Sequence, residues 1–131
     1  MRRAVAVLLL LLVVAGCHDT APSADPKEFC RRLDRLTGND PFAAFGPSAT
    51  NKEIEVAFRA LVERADQLDA VAPDEAKGAA DDFADSARAL QRLMADAGYD
   101  GAKVDTTAYR DAQVTYSEAS SRLLTYLDAS C

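Results

Sequence analysis

Histidine, cysteine and clustered carboxylates are the residues of this chain whose chemistry could support catalysis or metal binding. The single histidine, His18, lies in a small, polar stretch over residues 18–25 that contains Pro22. Such a stretch is typical of a flexible tether, which cannot hold an imidazole against a base or a metal. Histidine-dependent nucleophilic catalysis and most zinc sites are therefore excluded. No glycine-rich phosphate loop follows a strand pattern, so we expect neither an enzyme nor a cofactor.

The densest acidic group, Asp81, Asp82 and Asp85, allows two interpretations. Asp81 and Asp85 are four residues apart and would share one face of a helix. One interpretation is a weak calcium or magnesium site, which would need six or more oxygens converging from several segments. The other is a solvated face near a helix N-terminus, where the helix dipole favours carboxylates. The solvated face is the prediction, and no bound metal is expected.

The beginning of the chain carries the pattern of an export signal. Arg2 and Arg3 give a positive start, and the uncharged apolar stretch from Ala4 to Val14 follows. This stretch is too short to span about 30 Å of hydrocarbon, and its length suits the apolar region of a signal peptide. Small residues then lead directly to Cys17.

The segment Val14-Ala15-Gly16-Cys17 resembles the lipobox of bacterial lipoproteins. The resemblance implies that residues 1–16 are removed as a signal peptide and that Cys17 then carries lipid. Residues 17–25 would be the lipidated cysteine and its tether, on the extracytoplasmic face of a bacterial membrane. Two or three acyl chains would anchor the protein for long times. The alternatives are an ordinary secretory signal followed by a chance cysteine and a buried core helix.

Export would place the remaining cysteines, Cys30 and Cys131, in an oxidising compartment, where a disulfide between them is expected. The bond would close a loop of about 100 residues and stabilise the fold by up to roughly 4.7 kcal/mol in the chain-entropy model. Two free thiols are the alternative, which is less favourable because an exported free thiol is reactive.

The charge balance restricts the partners that this protein can have. Processing after residue 16 leaves 115 of the 131 residues, enough for one domain with a modest core. Without Arg2 and Arg3 the 15 basic residues become 13, against 21 acidic ones, a formal net charge of −8. Nucleic acid and anionic lipid surfaces would repel such a chain, so the membrane contact should be the lipid on Cys17. An envelope protein is compatible as a partner, and a monomer is expected.

Four helical patterns follow the tether, and no strand-like alternation of useful length interrupts them. In each, apolar residues recur at spacings of three and four. The predicted fold class is therefore all-α: an antiparallel up-down-up-down four-helix bundle over residues 26–131 with a short first helix. The helices are predicted over about 26–37 after the N-cap Asp25, from the capping box Thr50-x-x-Glu53 to Ala72, from Asp74 to Ala97, and from Asp105 or Thr106 onward.

This topology brings the two ends of the predicted bundle domain together. The first helix begins at the end of the bundle where the fourth finishes, so Cys30 and Cys131 should meet there without distortion. The tether leaves from the same end, which we call proximal. We call the stripe of recurring apolar residues along which the helices pack the seam. It is rich in alanine, which lets helices approach closely but buries little area, so a disulfide should contribute more to stability than usual.

Three loop aromatics are predicted at the opposite, distal end. Phe42 and Phe45 lie in the loop over residues 38–50, and Tyr99 lies in the loop over residues 98–105. They are either a lid folded onto the core or an exposed contact patch. The lid is favoured because a short bundle needs its end covered. The patch is the interaction hypothesis.

The remainder of the chain resembles small, alanine- and aspartate-rich helical lipoproteins of actinobacteria. The resemblance rests on Phe29-Cys30, Ala72-Pro73-Asp74-Glu75 and Cys131, and implies no activity. The predicted function is a non-enzymatic binding or accessory module of the cell envelope, acting through its distal face. The alternative is a carrier of a small apolar ligand or lipid in the seam. A void in the seam would favour the carrier, and a filled seam the module.

Overall fold

The computed structural model describes residues 24–43 and 46–131. Its helices are α1, Pro26–Gly38; α2, Asn51–Asp69; α3, Asp74–Asp96; and α4, Thr106–Ser130. This part of the chain contains no strand, which confirms the all-α class. The signal segment, Cys17, most of the tether and Phe45 lie outside the described residues.

The four helices form the predicted antiparallel bundle. The third helix packs along both α2 and α4, and α1 contacts α2 and α4 across the bundle from α3. The first helix has 13 residues, whereas its neighbours have 19 and 25, so it covers only part of their length. It also makes far fewer contacts than α3 does. None of the four is long and apolar enough to cross a membrane.

Local capping explains where the helices begin. The carboxylate of Asp25 accepts a hydrogen bond from the backbone N–H of Glu28 at 3.0 Å, ahead of a helix that opens with proline. The predicted capping box of α2 is present, with Thr50 and Glu53 each accepting from the backbone N–H of the other. The side chain of Asp105 accepts from two N–H groups of the first turn of α4.

A Schellman motif ends α3. Tyr99 donates its backbone N–H to the carbonyl of Met94 at 2.7 Å, and Gly98 donates to Ala95 at 2.9 Å. Gly98 has a φ of 64°, which glycine adopts without a Cβ penalty. Tyr99 follows with a φ of 59°, an uncommon value for a residue with a side chain. The motif turns the Tyr99 ring onto the core beside Met94.

The core divides into a large cluster and a smaller distal one. The large cluster is a seam in which alanines alternate with a few large residues, and several of its alanines are fully buried: Ala65, Ala80, Ala87 and Ala119. The distal cluster is formed by Phe58, Leu90 and Met94, with partly buried aromatics around it. The helices therefore approach closely along the alanine-rich seam, whereas large side chains fill the space between them at the distal end.

The third helix buries a wider face than its seam pattern indicates. Ala84 and Ser86 fall outside the three- and four-residue recurrence of Ala80, Phe83, Ala87 and Leu90, yet they are buried at 1% and 4% exposure. The helix packs against two neighbours at once, so one apolar stripe cannot cover the interface. Ser86 is tolerated there because its hydroxyl donates to the carbonyl of Phe83 at 3.0 Å.

The proximal end is closed by a disulfide. Cys30 and Cys131 are bonded with their Cα atoms 5.6 Å apart, which confirms the predicted bridge between α1 and the end of α4. The backbone N–H of Asp25 donates to the carbonyl of Val71 at 3.0 Å, which ties the start of α1 to the link between α2 and α3.

Candidate functional site

The shortness of α1 creates the most distinctive surface feature of the bundle. At about 1.5 Å per residue, α1 is roughly 20 Å long and α4 is nearly twice that. Within residues 24–43 and 46–131, no helix therefore lies between the distal halves of α2 and α4. The chain after Gly38 turns into this space, and a groove remains beside it.

An aspartate-proline turn directs Phe42 into the space. The Asp40 carboxylate accepts from the backbone N–H of Phe42 at 2.8 Å, and the Asp40 carbonyl accepts from Ala43 at 3.1 Å. The Phe42 ring meets Phe58 edge to face, with centroids 4.9 Å apart.

The resulting distal groove has a volume of about 340 Å³. It has an apolar floor contributed by α1, α2, α3 and the turn, and a polar rim contributed by Asp40 and α4. The floor consists of Leu36, Pro41, Phe42, Phe58, Leu61 and Leu90, and the rim of Asp40, Tyr109, Gln113 and Tyr116.

The two rim tyrosines are held in their neutral form. Burial raises the pKa of the Tyr109 phenol. Burial also raises the pKa of Tyr116, and the negative charge of Asp40 raises it further. Both hydroxyls therefore remain available as hydrogen-bond donors and acceptors near neutral pH. The Tyr116 ring also packs on Phe83, with centroids 5.0 Å apart, so it joins the distal groove to the central seam.

The chemistry of the groove suits binding. Its volume lies at the small end of the roughly 300–1,000 Å³ of ligand pockets, about the size of one or two apolar side chains. An apolar floor gives affinity through burial, and a hydroxyl and amide rim fixes orientation. Its lining residues include no cysteine, serine, lysine or histidine.

The predicted aromatics lie beside this groove. Phe42 and Tyr99 are both partly buried, and both rings contact Phe58, Tyr99 at a centroid distance of 6.5 Å. This packing is the one expected of a lid, although Phe42 also lines the distal groove. Phe45 lies outside the residues that the structure describes. Whether these aromatics also contact a partner stays a prediction.

The acidic group of α3 is divided among separate cations. Each carboxylate forms its own ion pair at 2.5–2.7 Å: Asp81 with Lys77, Asp82 with Arg122 and Asp85 with Arg88. Within residues 24–43 and 46–131, no three histidine, cysteine, aspartate or glutamate residues are placed to hold a metal ion. The arrangement is that of a solvated, salt-bridged helix face.

Sequence reasoning missed the distal groove as a site. In the sequence, Tyr109 and Tyr116 belong to the three- and four-residue recurrence of α4, and Asp40 belongs to the loop over residues 38–50. The groove exists because α1 is shorter than its neighbours, and the predicted helix lengths carried that signal. The position of Asp40 near Tyr116 depends on the tertiary fold and has no local pattern.

Comparison with known proteins gives no further assignment. No protein-family model, no curated protein and no solved structure matches this chain. The sequence pattern of the first 17 residues, the disulfide-closed bundle and the distal groove are therefore the observations on which a function can be based.

Proposed function

We propose that this protein is a lipid-anchored, non-enzymatic binding module of the bacterial envelope that receives an apolar side chain of a partner protein in its distal groove. The observation that carries the proposal is the position of that groove. It opens along the distal half of the bundle, away from Asp25 and the Cys30–Cys131 disulfide. A chain anchored ahead of Asp25, as the lipobox resemblance implies, would present the groove away from the membrane.

The packing of the seam supports a binding module over a carrier. Alanines of α2, α3 and α4 are fully buried along it, among them Ala65, Ala80 and Ala119. Helices in such close approach can admit a ligand only by moving apart, which would expose the core. The distal groove, in contrast, is open to solvent as it stands and needs no rearrangement to bind a side chain.

A carrier of a small apolar ligand or lipid is the second candidate, and one observation favours it. The floor of the distal groove includes Leu61 and Leu90, which belong to the buried core. A ligand that entered the groove would therefore reach the interior of the bundle. The two candidates differ in what occupies the same groove.

A groove-filling substitution tests the site. Gln113 lies on the exposed rim, so Gln113→Trp would place an indole over the distal groove without removing a core residue. Thr115→Trp is the matched control, because Thr115 is exposed and lies about 200° around the same helix. The full chain and both variants would be purified in detergent from bacterial membranes, and bound proteins and lipids identified by mass spectrometry.

A partner protein retained by the wild type and by Thr115→Trp but lost from Gln113→Trp supports the binding module. A lipid with the same behaviour supports the carrier instead. Equal retention by both variants would remove the distal groove as the site. Acyl labelling and membrane fractionation of Cys17→Ser test the anchor separately. Loss of lipidation should abolish the label and release the chain from the membrane fraction.

A further inference from the structure

A second groove, of about 260 Å³, lies between α1 and α2 and is lined by three arginines. Arg32 and Arg35 are three residues apart on α1 and share one face, and Arg64 faces them from α2. The remaining lining residues are Leu36, Asn39 and Gln67. We call this the arginine groove. It is separate from the distal groove except for Leu36, which lines both.

Two of these arginines are held in position by an exchange between the helices. Arg32 donates from Nη1 to the carbonyl of Gln67 in the last turn of α2, at 2.8 Å. Arg64 donates from Nη1 to the carbonyl of Asn39, the C-cap of α1, at 2.6 Å. Each helix therefore sends an arginine to the C-terminal carbonyls of the other, where cations are favoured. This exchange fixes both guanidinium groups before any ligand binds.

The charge in the arginine groove is largely uncompensated. Among the residues that the structure describes, Glu28 is the one carboxylate bonded to any of the three arginines, and it pairs with both Arg32 and Arg31. Arg64 has no ion pair, and the Arg35 guanidinium has neither an ion pair nor a hydrogen bond within the described part of the chain. The arginines Arg59, Arg88 and Arg122, in contrast, all pair with carboxylates. A chain with 21 acidic residues thus leaves a concave positive site here.

We propose that the arginine groove binds a phosphate-type oxyanion, with Arg35 and Arg64 as its principal ligands and Arg32 as a third. A guanidinium carries five N–H donors in a planar fork, and the bonds of Arg32 and Arg64 to protein carbonyls leave several of them free. Three such forks around one small cavity exceed what a single carboxylate can accept. They match a tetrahedral anion with several oxygens and up to two charges. The proposal does not depend on the function of the distal groove.

The test uses the full chain in detergent. Its unfolding midpoint would be followed as sodium phosphate replaces sodium chloride at constant ionic strength. A ligand that binds the native state stabilises it by mass action, so phosphate should raise the midpoint more than chloride does. Phosphate also stabilises folded proteins without a site, so the part of the rise that is lost in Arg35→Gln measures binding in the arginine groove. Isothermal titration with inorganic phosphate gives the dissociation constant directly.

Arg35→Gln is the decisive variant, because Arg35 has no partner whose loss would disturb the fold. Removal of one charged donor group should weaken phosphate binding at least roughly tenfold. Arg35→Lys keeps the charge but loses the planar fork of donors, so its affinity for phosphate should lie between those of the wild type and Arg35→Gln. Arg92→Gln is the matched control: Arg92 is an exposed arginine of α3 that also forms no ion pair.

The proposal is overturned if phosphate raises the midpoint no more than chloride, or if Arg92→Gln weakens binding as much as Arg35→Gln. Selective loss in Arg35→Gln, with an unchanged circular dichroism spectrum, supports it. Micelles doped with phosphatidic acid then identify the source of the phosphate. Competition between these micelles and inorganic phosphate supports the groove as a headgroup site, and independence supports it as a site for a soluble phosphate.

Discussion

The ring of Phe29 meets the ring of Tyr126 edge to face, with centroids 5.4 Å apart and planes at 84°. Phe29 is fully buried, and its neighbour Cys30 is covalently bonded to Cys131. An aromatic pair and a disulfide thus join α1 to α4 at the same point. This junction holds the first helix to α4, while the bonds of Arg32 and Arg64 to backbone carbonyls hold it to α2.

Removal of the disulfide should therefore destabilise the protein strongly. The double variant Cys30→Ala, Cys131→Ala is expected to lose about 2–5 kcal/mol of unfolding free energy, as measured by urea denaturation. The loss is expected because the disulfide joins residues 101 apart in sequence, and without it the unfolded chain is no longer constrained. A reducing agent should produce the same loss in the wild type. Cys17→Ser is the control and should leave the bundle's stability unchanged. Equal midpoints for the wild type and the double variant would contradict the assigned role.

Substitutions at two glycines measure the effect of backbone conformation on stability separately from the effect of packing. A Cβ added at Gly98 or at Gly78 would meet no atom within 4 Å, but only Gly98 has a positive φ. Gly98→Ala should therefore lower the free energy of unfolding by about 1–2 kcal/mol, because alanine must adopt the left-handed backbone conformation. Gly78→Ala, inside α3, should raise the free energy of unfolding by roughly 0.5–1 kcal/mol. Thermal or urea unfolding of the two variants measures the difference, and changes of the same sign would contradict the explanation.

The capping box of α2 predicts a dependence of stability on acid pH. The hydrogen bonds from the Thr50 backbone and side chain lower the pKa of Glu53 below its ordinary value of 4.5. The ionised form therefore stabilises the fold above pH 4.5, and this contribution is lost as the pH falls through the lowered pKa. Glu53→Gln should flatten the acid limb of a stability–pH profile, while Thr50→Ser should preserve it. Identical acid limbs for Glu53→Gln and the wild type would rule this out.

The rim tyrosines predict a dependence at alkaline pH. The pKa values of Tyr109 and Tyr116 are raised above 10.0 by burial in the folded protein. The unfolded chain therefore releases these protons first, so stability should fall as the pH rises above about 10. Tyr116→Phe and Tyr109→Phe should each reduce that fall, as measured by urea unfolding across the alkaline range. An alkaline limb unaffected by either change would show that the phenols are not buried as described.

Phe42 offers a test between the lid and the contact patch. If Phe42 is a lid packed on Phe58, Phe42→Ser should lower the free energy of unfolding by about 2 kcal/mol. This is less than the roughly 3–5 kcal/mol expected for a fully buried phenylalanine. Val56→Ser is the control, since Val56 is 52% exposed on α2 and should change stability by no more than about 0.5 kcal/mol. Equal effects of the two substitutions would favour a surface contact patch over a lid.

The helices could be predicted because their signals are local. The capping box at Thr50, the proline after Asp25 and the glycine at position 98 mark boundaries within a few residues of those observed. The disulfide followed from the up-down-up-down order, which places both ends of the described bundle together. These features depend on neighbours in sequence or on topology alone.

The candidate sites could not be predicted in the same way. The distal groove depends on how far α1 extends beside α2 and α4, and the arginine groove depends on the rotation of α1 about its axis. Arg32 and Arg64 look like ordinary surface cations in the sequence, since their bonding partners are backbone carbonyls of another helix. The burial of Ser86 likewise reflects two neighbouring helices and not its own segment.

The disulfide also determines how mechanical force would travel through this molecule. A pull applied to the chain ahead of Asp25 reaches Cys30 within the first turns of α1 and crosses the sulfur bridge to Cys131. From there it enters α4, which packs along its length on α3. Tension therefore bypasses the sparse contacts of α1, and the first helix is not peeled away. If the protein is held by a tether at one end and by a partner at the other, the packing of α4 on α3, and not that of α1, resists the pull.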